Sequence, residues 1–188
     1  SHLGHKVTCA DVVEAKVDSL QRGEIPIHEA GLEELVRAGM GNGNLSFVLG
    51  SENAGRDAEF VYLCVPTPQT AEGSAVLRYL IAAAEQISPH LRPGTVVVNK
   101  STVPVGSTLL VEQALGRSDI PVVSNPEFLR EGSAVDDFLH PDRVVIVSDD
   151  RAAADHVASL YIDCGAPIMI MDPASAETCK YAANAFLA

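Results

Sequence analysis

The chain has 188 residues, of which 47% are hydrophobic and 20% are charged, a composition typical of one globular domain. Its formal net charge of -12 argues against a nucleic acid partner, because the phosphates would be repelled. No run approaches the roughly 18 apolar residues of a membrane span, so we expect a cytoplasmic protein with no membrane segment.

Apolar, β-branched runs alternate with helical patterns along the whole chain. The runs predict strands at residues 6–11, 45–49, 60–65, 94–99, 120–124, 143–148 and 167–171. The patterns between them predict helices at residues 12–22, 29–38, 74–88, 106–116, 151–163 and 174–188. Several strands are continuously apolar, which is typical of a parallel sheet covered on both faces. The alternation therefore predicts an α/β domain with a doubly wound parallel sheet in three αβα layers.

The first predicted strand ends in an acidic residue, Asp11. In a doubly wound dinucleotide-binding fold, an acidic residue at the end of the second strand accepts hydrogen bonds from the adenine ribose hydroxyls. Aspartate is also a good helix N-cap, and a helix is predicted directly after it. The residues alone leave both roles open.

Polar segments follow three later strands. They are Val65-Pro66-Thr67-Pro68, then Ser101 and Thr102, then the pair of carboxylates Glu127 and Glu131. Ligands of open parallel sheets bind at the carboxyl ends of the strands, where these segments are expected. Each segment also has an ordinary reading: a proline turn, a pair of helix caps and a solvated acidic loop.

The last predicted helix carries Lys180 and Asn184 in an otherwise apolar stretch. Their spacing of four residues places both side chains on one helical face. A solvated surface lysine is the alternative for Lys180. The adjacent Cys179 points about 100° away around the helix. No spacing of the cysteines and histidines predicts a metal site.

Together these segments resemble the UDP-glucose/GDP-mannose dehydrogenase family. The resemblance begins at residues 4–11 and 26–32, continues through 64–68, and includes the three segments at 100–106, 124–132 and 180–184. It implies NAD as the cofactor and a UDP-sugar as the substrate, with oxidation of UDP-glucose to UDP-glucuronate as the expected reaction. It also implies a homodimer.

The resemblance assigns roles to individual residues. The residues expected to take part in catalysis are Glu127, Lys180, Asn184 and Thr102. The cofactor is expected to contact Asp11, Lys16, Val65, Pro66, Thr67, Pro68, Ser101, Thr102 and Glu131. The substrate is expected to contact Glu127, Phe128, Leu129, Arg130, Glu131, Lys180 and Asn184. In these roles Glu127 exchanges the hydroxyl proton, Lys180 stabilises negative charge on oxygen, and Asn184 fixes the geometry. For Lys16, a solvated helix lysine remains the alternative.

The family pattern includes two parts that we do not find in the chain. Residues 1–10 supply neither the first strand nor the G-x-G-x-x-G loop, and the nucleophilic cysteine of the family is expected beyond residue 188. We therefore expect residues 1–172 to form a Rossmann-like NAD-binding domain, incomplete at its N-terminus, that is inactive alone. Residues 173–188 are expected to begin the central interdomain and dimerisation helix.

Two alternatives remain open at this point. The first is a dehydrogenase of UDP-N-acetylmannosamine or GDP-mannose, because the sugar cannot be identified from these segments. The second is a non-catalytic nucleotide-binding or assembly module.

Overall fold

The computed structural model describes residues 1–68, 76–101, 103, 106–173 and 175–176. They form two compact units. The small unit comprises Ser1–Asp57 and Phe128–His140, and the large unit comprises Ala58–Glu127 and Pro141–Ala188.

The small unit is built around two parallel strands, β1 (Val7–Asp11) and β2 (Leu45–Leu49). Helices α1 (Glu14–Gln21) and α2 (Leu32–Gly41) form the crossover between them that parallel strands require. The side-chain amide of Gln21 donates to the carbonyl of Phe47 at 2.9 Å and so ties α1 to β2. A short helix, α5 (Ala134–Leu139), also belongs to this unit.

The large unit contains a five-stranded sheet. Its strands are β3 (Phe60–Leu63), β4 (Val96–Asn99), β5 (Val122–Ser124), β6 (Val144–Val147) and β7 (Ile168–Met171), and they lie in that order. The first three strands are parallel to one another, and the last two are parallel to each other. At the junction β6 runs antiparallel to β5, with Ser124 opposite Val147. The sheet is therefore mostly parallel.

Helices cover both faces of this sheet, as its continuously apolar strands predict. All four residues of β4 are buried, and successive side chains point to opposite faces. Val97 packs in the cluster that holds Leu80 of α3 (Arg78–Ile87) and Val111 of α4 (Ser107–Leu115). Val98 packs in the cluster that holds Val157 of α6 (Arg151–Ser159). The three-layer α/β prediction is confirmed, and each fully buried valine contributes about 1.5–3 kcal/mol through removal of its surface from water.

All seven predicted strands are present, each at the predicted length or shorter by one or two residues. The second helix begins at Leu32 and ends at Gly41, later than the predicted 29–38. Helix α5 was not predicted, because its six residues lie in a segment that the sequence indicates as a loop. Short 3₁₀ turns at Ser51–Asn53, Ser88–His90 and Ile162–Cys164 complete the described elements. The predicted helix 174–188 lies almost entirely outside the described residues.

Candidate functional site

Three neighbouring strands of the large unit end at one edge of the sheet. Because β3, β4 and β5 are parallel, the segments that follow them lie side by side there. These segments are residues 64–68, 100–101 and 125–127, called here the strand-end cluster. The structure thus brings together Val65 to Pro68, Ser101 and Glu127, which the sequence places on three separate segments.

Ser101 holds the end of β3 to the end of β4. Its hydroxyl donates to the carbonyl of Val65 at 2.8 Å and lies 3.2 Å from the carbonyl of Leu63. Its amide donates to the same Leu63 carbonyl at 3.2 Å. Since a serine hydroxyl has one hydrogen to donate, Ser101 would meet a cofactor as an acceptor. Its main observed effect is to fix the start of the Val65–Pro68 segment.

The alternative role for Ser101, a cap of the following helix, is wrong. Helix α4 begins at Ser107, and its N-cap is Gly106, whose φ of 81° lies in the left-handed region. Glycine has no side chain with which to cap the helix. Thr102 lies outside the described residues, so its alternative roles stay predictions.

A buried amide organises the strand-end cluster. The side chain of Asn125 accepts a hydrogen bond from the Lys100 ammonium at 3.1 Å and one from the Tyr161 hydroxyl at 2.6 Å. Its amide group donates to the carbonyl of Val145 at 2.8 Å, and its backbone N–H donates to the carbonyl of Asn99 at 3.0 Å. Asn125 is only 1% exposed, so these bonds satisfy polar groups that water cannot reach.

Lys100 brings a positive charge to the same edge. Burial lowers the pKa of its ammonium below the usual range, and negative charge at Cys64 and Glu127 acts in the opposite direction. Glu127 is half-buried and lies two residues after Asn125. A carboxylate beside an ammonium at a strand edge is suited to proton exchange with a bound alcohol.

In the small unit, Asp11 stands at the end of β1 as predicted. One carboxylate oxygen accepts the amide of Val13 at 3.0 Å, and the other pairs with the Lys16 ammonium. Helix α1 has Val13 as its N-cap, so Asp11 binds the amide of the N-cap residue and does not cap the helix itself. Partial burial acts to raise the pKa of Asp11, but the bonds from Lys16, Val13 and Val12 outweigh it and lower the pKa.

The geometry of Asp11 fits a ribose. The carboxylate is ionised at neutral pH, and each of its oxygens has two acceptor positions. The bonds from Lys16, Val13 and Val12 occupy three of these four positions, which leaves one for a hydroxyl group. The donor set therefore fits the adenine ribose of NAD, with Lys16 as the adjacent cation. The contacts of Asp11 and Lys16 with the cofactor stay predictions.

The segment after Glu127 belongs to the small unit and exposes apolar side chains. Phe128 is 55% exposed and Leu129 is 40% exposed, and Glu131 in the same loop is also exposed. Asp137 of α5 closes the loop by accepting the Arg130 guanidinium at 2.7 Å and the Arg130 amide at 2.8 Å. These two bonds lower the pKa of Asp137 to about 2. The predicted substrate contacts of this loop stay predictions.

The other predicted site residues, Lys180 and Asn184, lie outside the described residues. The described ranges contain no group of three or more histidine, cysteine, aspartate or glutamate side chains placed to hold a metal ion. Within the same ranges, no helix combines the length and apolar character needed to cross a membrane.

Three residues that shape the site were not assigned roles from the sequence. Lys100 directly follows a continuously apolar strand. A lysine in that position is a sequence signal for a positive charge at the end of the strand. Asn125 precedes a proline, which indicates a turn. Turn residues are usually exposed, so the sequence does not suggest that Asn125 is buried. Asp137 lies in α5, which was itself not predicted.

Comparison with known proteins gives one family. Residues 1–164 match the model of the UDP-glucose/GDP-mannose dehydrogenase family, NAD-binding domain. A curated relative, the UDP-glucose 6-dehydrogenase YwqF of Bacillus subtilis, is 44% identical over 193 aligned residues. That alignment covers 100% of this chain and 44% of the relative.

Two solved structures of dehydrogenases are also similar to this chain. A UDP-glucose dehydrogenase from the archaeon Pyrobaculum islandicum matches with a TM-score of 0.91 at 42% identity, over 99% of this chain and 45% of that one. A GDP-mannose dehydrogenase from Pseudomonas aeruginosa matches with a TM-score of 0.88 at 33% identity, over 97% of this chain and 44% of that one. The chain therefore spans less than half the length of these proteins.

Proposed function

The chain belongs to the UDP-glucose/GDP-mannose dehydrogenase family, and we propose that the whole protein oxidises UDP-glucose to UDP-glucuronate. The alcohol becomes a carboxylic acid, two NAD are reduced and one water is consumed. The observation that carries the proposal is similarity over the whole chain to a protein named UDP-glucose 6-dehydrogenase. NAD as the cofactor follows from the family's NAD-binding domain and fits the ionised Asp11 at the end of β1.

In this reaction, Glu127 takes the proton of the sugar hydroxyl as hydride leaves the carbon. NAD bound at this site would supply the hydride acceptor. The position of Glu127 in the strand-end cluster supports this role, because a carboxylate at the carboxyl end of a strand can accept the hydroxyl proton of a ligand bound there. We assign Lys180 and Asn184 to the same reacting centre, and Thr102 and Ser101 to the cofactor side, on the family resemblance.

We assign residues 1–172 to the NAD-binding domain and residues 173–188 to the start of the central helix. The whole protein is proposed to be a cytoplasmic homodimer in which that helix contributes to the interface. The family resemblance supports these assignments.

The competing substrate is GDP-mannose. The similarity to the Pseudomonas aeruginosa GDP-mannose dehydrogenase favours it, at lower identity than the similarity to UDP-glucose dehydrogenases. We place UDP-glucose first for that reason.

The test is NADH formation by the purified whole protein with UDP-glucose, GDP-mannose and UDP-N-acetylmannosamine in parallel. We expect kcat/KM to be highest for UDP-glucose, with two NADH formed per sugar consumed. A higher kcat/KM for either other sugar would replace the proposed substrate. Absence of NADH with all three would favour the non-catalytic module.

The chain of 188 residues on its own is expected to form no NADH from UDP-glucose, because the family's nucleophile is expected outside it. The same assay on this chain checks the expectation. Steady NADH formation would place the nucleophile among these residues.

A further inference from the structure

Helix α5 begins without a cap of its own. Ser133 occupies its N-cap position but makes no side-chain bond to the helix amides. The Ser133 hydroxyl instead donates to Asp137 at 3.2 Å. The first amides of a helix have no partner within it and need an acceptor from elsewhere.

Glu29, which lies far away in the sequence, supplies that acceptor. One of its carboxylate oxygens accepts the Gly132 amide at 2.8 Å, across 103 residues of sequence. The other accepts the Ala134 amide at 3.2 Å, across 105 residues. A negative charge at a helix N-terminus is also favoured by the helix dipole.

The segment that carries Glu29 is itself held in place. The Glu29 carbonyl accepts the Leu32 amide at 3.1 Å at the start of α2. Gly31, the N-cap of α2, has a φ of 80°, and a Cβ there would lie 3.9 Å from the Val135 side chain in α5. The start of α2 therefore lies along α5, which brings the Glu29 carboxylate to the loop.

Two carboxylates fix the loop that follows Glu127. Asp137 binds the guanidinium and the amide of Arg130 in the middle of the loop. Glu29 binds Gly132 and Ala134 at its end. The exposed Phe128 and Leu129 precede both anchors, at the start of the same loop.

We propose that Glu29 is a positioning residue for nucleotide-sugar binding, because it anchors the loop 128–132 through the amides of Gly132 and Ala134. The inference rests on the proposed function, which assigns the sugar contacts to this loop. Glu29 touches no reacting atom in this role. It acts through the backbone that carries Phe128 to Glu131.

The experiment uses the whole protein with Glu29→Gln, which keeps the side-chain size but removes the charge and one acceptor oxygen. We expect kcat/KM for UDP-glucose to fall about 10²-fold, the loss typical of a misplacement of about 1 Å. The KM for UDP-glucose should rise more than the KM for NAD. Hydrogen exchange should accelerate at the amides of Gly132 and Ala134.

Glu33→Gln is the matched control. It makes the same exchange on α2, where the carboxylate pairs with Arg37 at 2.5 Å on the surface. This control should retain the kcat/KM and the exchange rates of the wild type. Asp137→Asn releases the other anchor of the loop and should reproduce the KM increase for UDP-glucose. If Glu29→Gln does not fold, Glu29→Asp keeps the charge with a shorter reach and is measured in its place.

Several results would overturn the inference. They are wild-type kcat/KM in folded Glu29→Gln, unchanged exchange at Gly132 and Ala134, or an equal loss in Glu33→Gln. A wild-type protein that oxidises a different nucleotide sugar contradicts only the proposed substrate, and the same variants are then measured with that sugar. Where no sugar is oxidised, the exchange rates of the two amides decide whether Glu29 anchors the loop.

Discussion

Asn125 shows how a single buried side chain can hold several elements at a site. Its amide connects Lys100 after β4, Tyr161 after α6 and Val145 in β6. Asn125 and Tyr161 are both buried, so the bond between them is formed away from solvent. The residue therefore ties together the elements that surround the strand-end cluster.

We predict that Asn125→Leu lowers the free energy of unfolding by about 3 kcal/mol, because it leaves the hydrogen-bonding groups of Lys100, Tyr161 and Val145 without their partner. Tyr161→Phe removes one hydroxyl from the same network and should cost about 1 kcal/mol. Urea denaturation of the three proteins measures both changes. Equal stability of Asn125→Leu and the wild type would mean that these bonds contribute no net stability.

A second prediction at this scale concerns Glu127. In the whole protein, Glu127→Gln should lower kcat by about 10²–10⁴-fold, the usual contribution of a positioned acid/base group. The dissociation constant for NAD should change little. Steady-state kinetics and NAD titration separate the two effects. A variant that loses NAD binding and keeps its turnover would contradict the assigned role.

The positions of some candidate residues at strand ends were predictable from the strand pattern, while their roles stay predictions. Asp11 ends its strand, and Glu127 follows its strand, as the apolar runs predict. Glu29 and Asn125 were missed for a physical reason. Their roles arise from partners distant in sequence, such as Gly132 for Glu29, and no local pattern encodes such a contact.

At the scale of elements, the strands were predictable because their apolar runs match the buried sheet of the large unit. Helix α5 was not, because it is short and its first amide is bonded by the distant Glu29 and not by a local cap. The antiparallel junction of β5 and β6 was also missed, since a strand's apolar pattern carries no direction.

We predict that α5 and its loop make stability depend on pH. The pKa of Asp137 is about 2 in the folded protein, below the value of about 3.9 for an unperturbed aspartate. Its ionised form is thus favoured in the folded state, and the stability that it contributes is present above about pH 4. That contribution is lost as the pH falls from about 4 towards 2.

The measurement is the urea midpoint of the wild type and Asp137→Asn across this range. The difference between them should be largest near neutral pH and should shrink on acidification. Asp142 is exposed, and Asp142→Asn serves as the control for the loss of one negative charge. A difference independent of pH would show that Asp137 stabilises the fold by some other means than its charge.

At the scale of the whole molecule, burial is divided unequally between the two units. Among the described residues, Val17 and Phe47 are the buried hydrophobic residues of the small unit, and the rest of the core lies in the large unit. Apolar side chains such as Val12 and Ile27 of the small unit are 74% and 62% exposed. The α/β class was predictable from the alternation of elements, but this division was not, because apolar runs occur in both units.

The last prediction follows from that division. Local opening costs less where little apolar surface is buried, so amides of the small unit should exchange with solvent faster than those of the large unit. Val7 in β1 and Val97 in β4 form a matched pair. Both are strand valines whose amides donate to a backbone carbonyl, to Asn44 at 2.8 Å and to Pro121 at 3.0 Å. Hydrogen exchange, corrected for intrinsic rates, should show much stronger protection at Val97, which is 0% exposed. Equal protection at Val7 would mean that the small unit opens only when the whole chain unfolds.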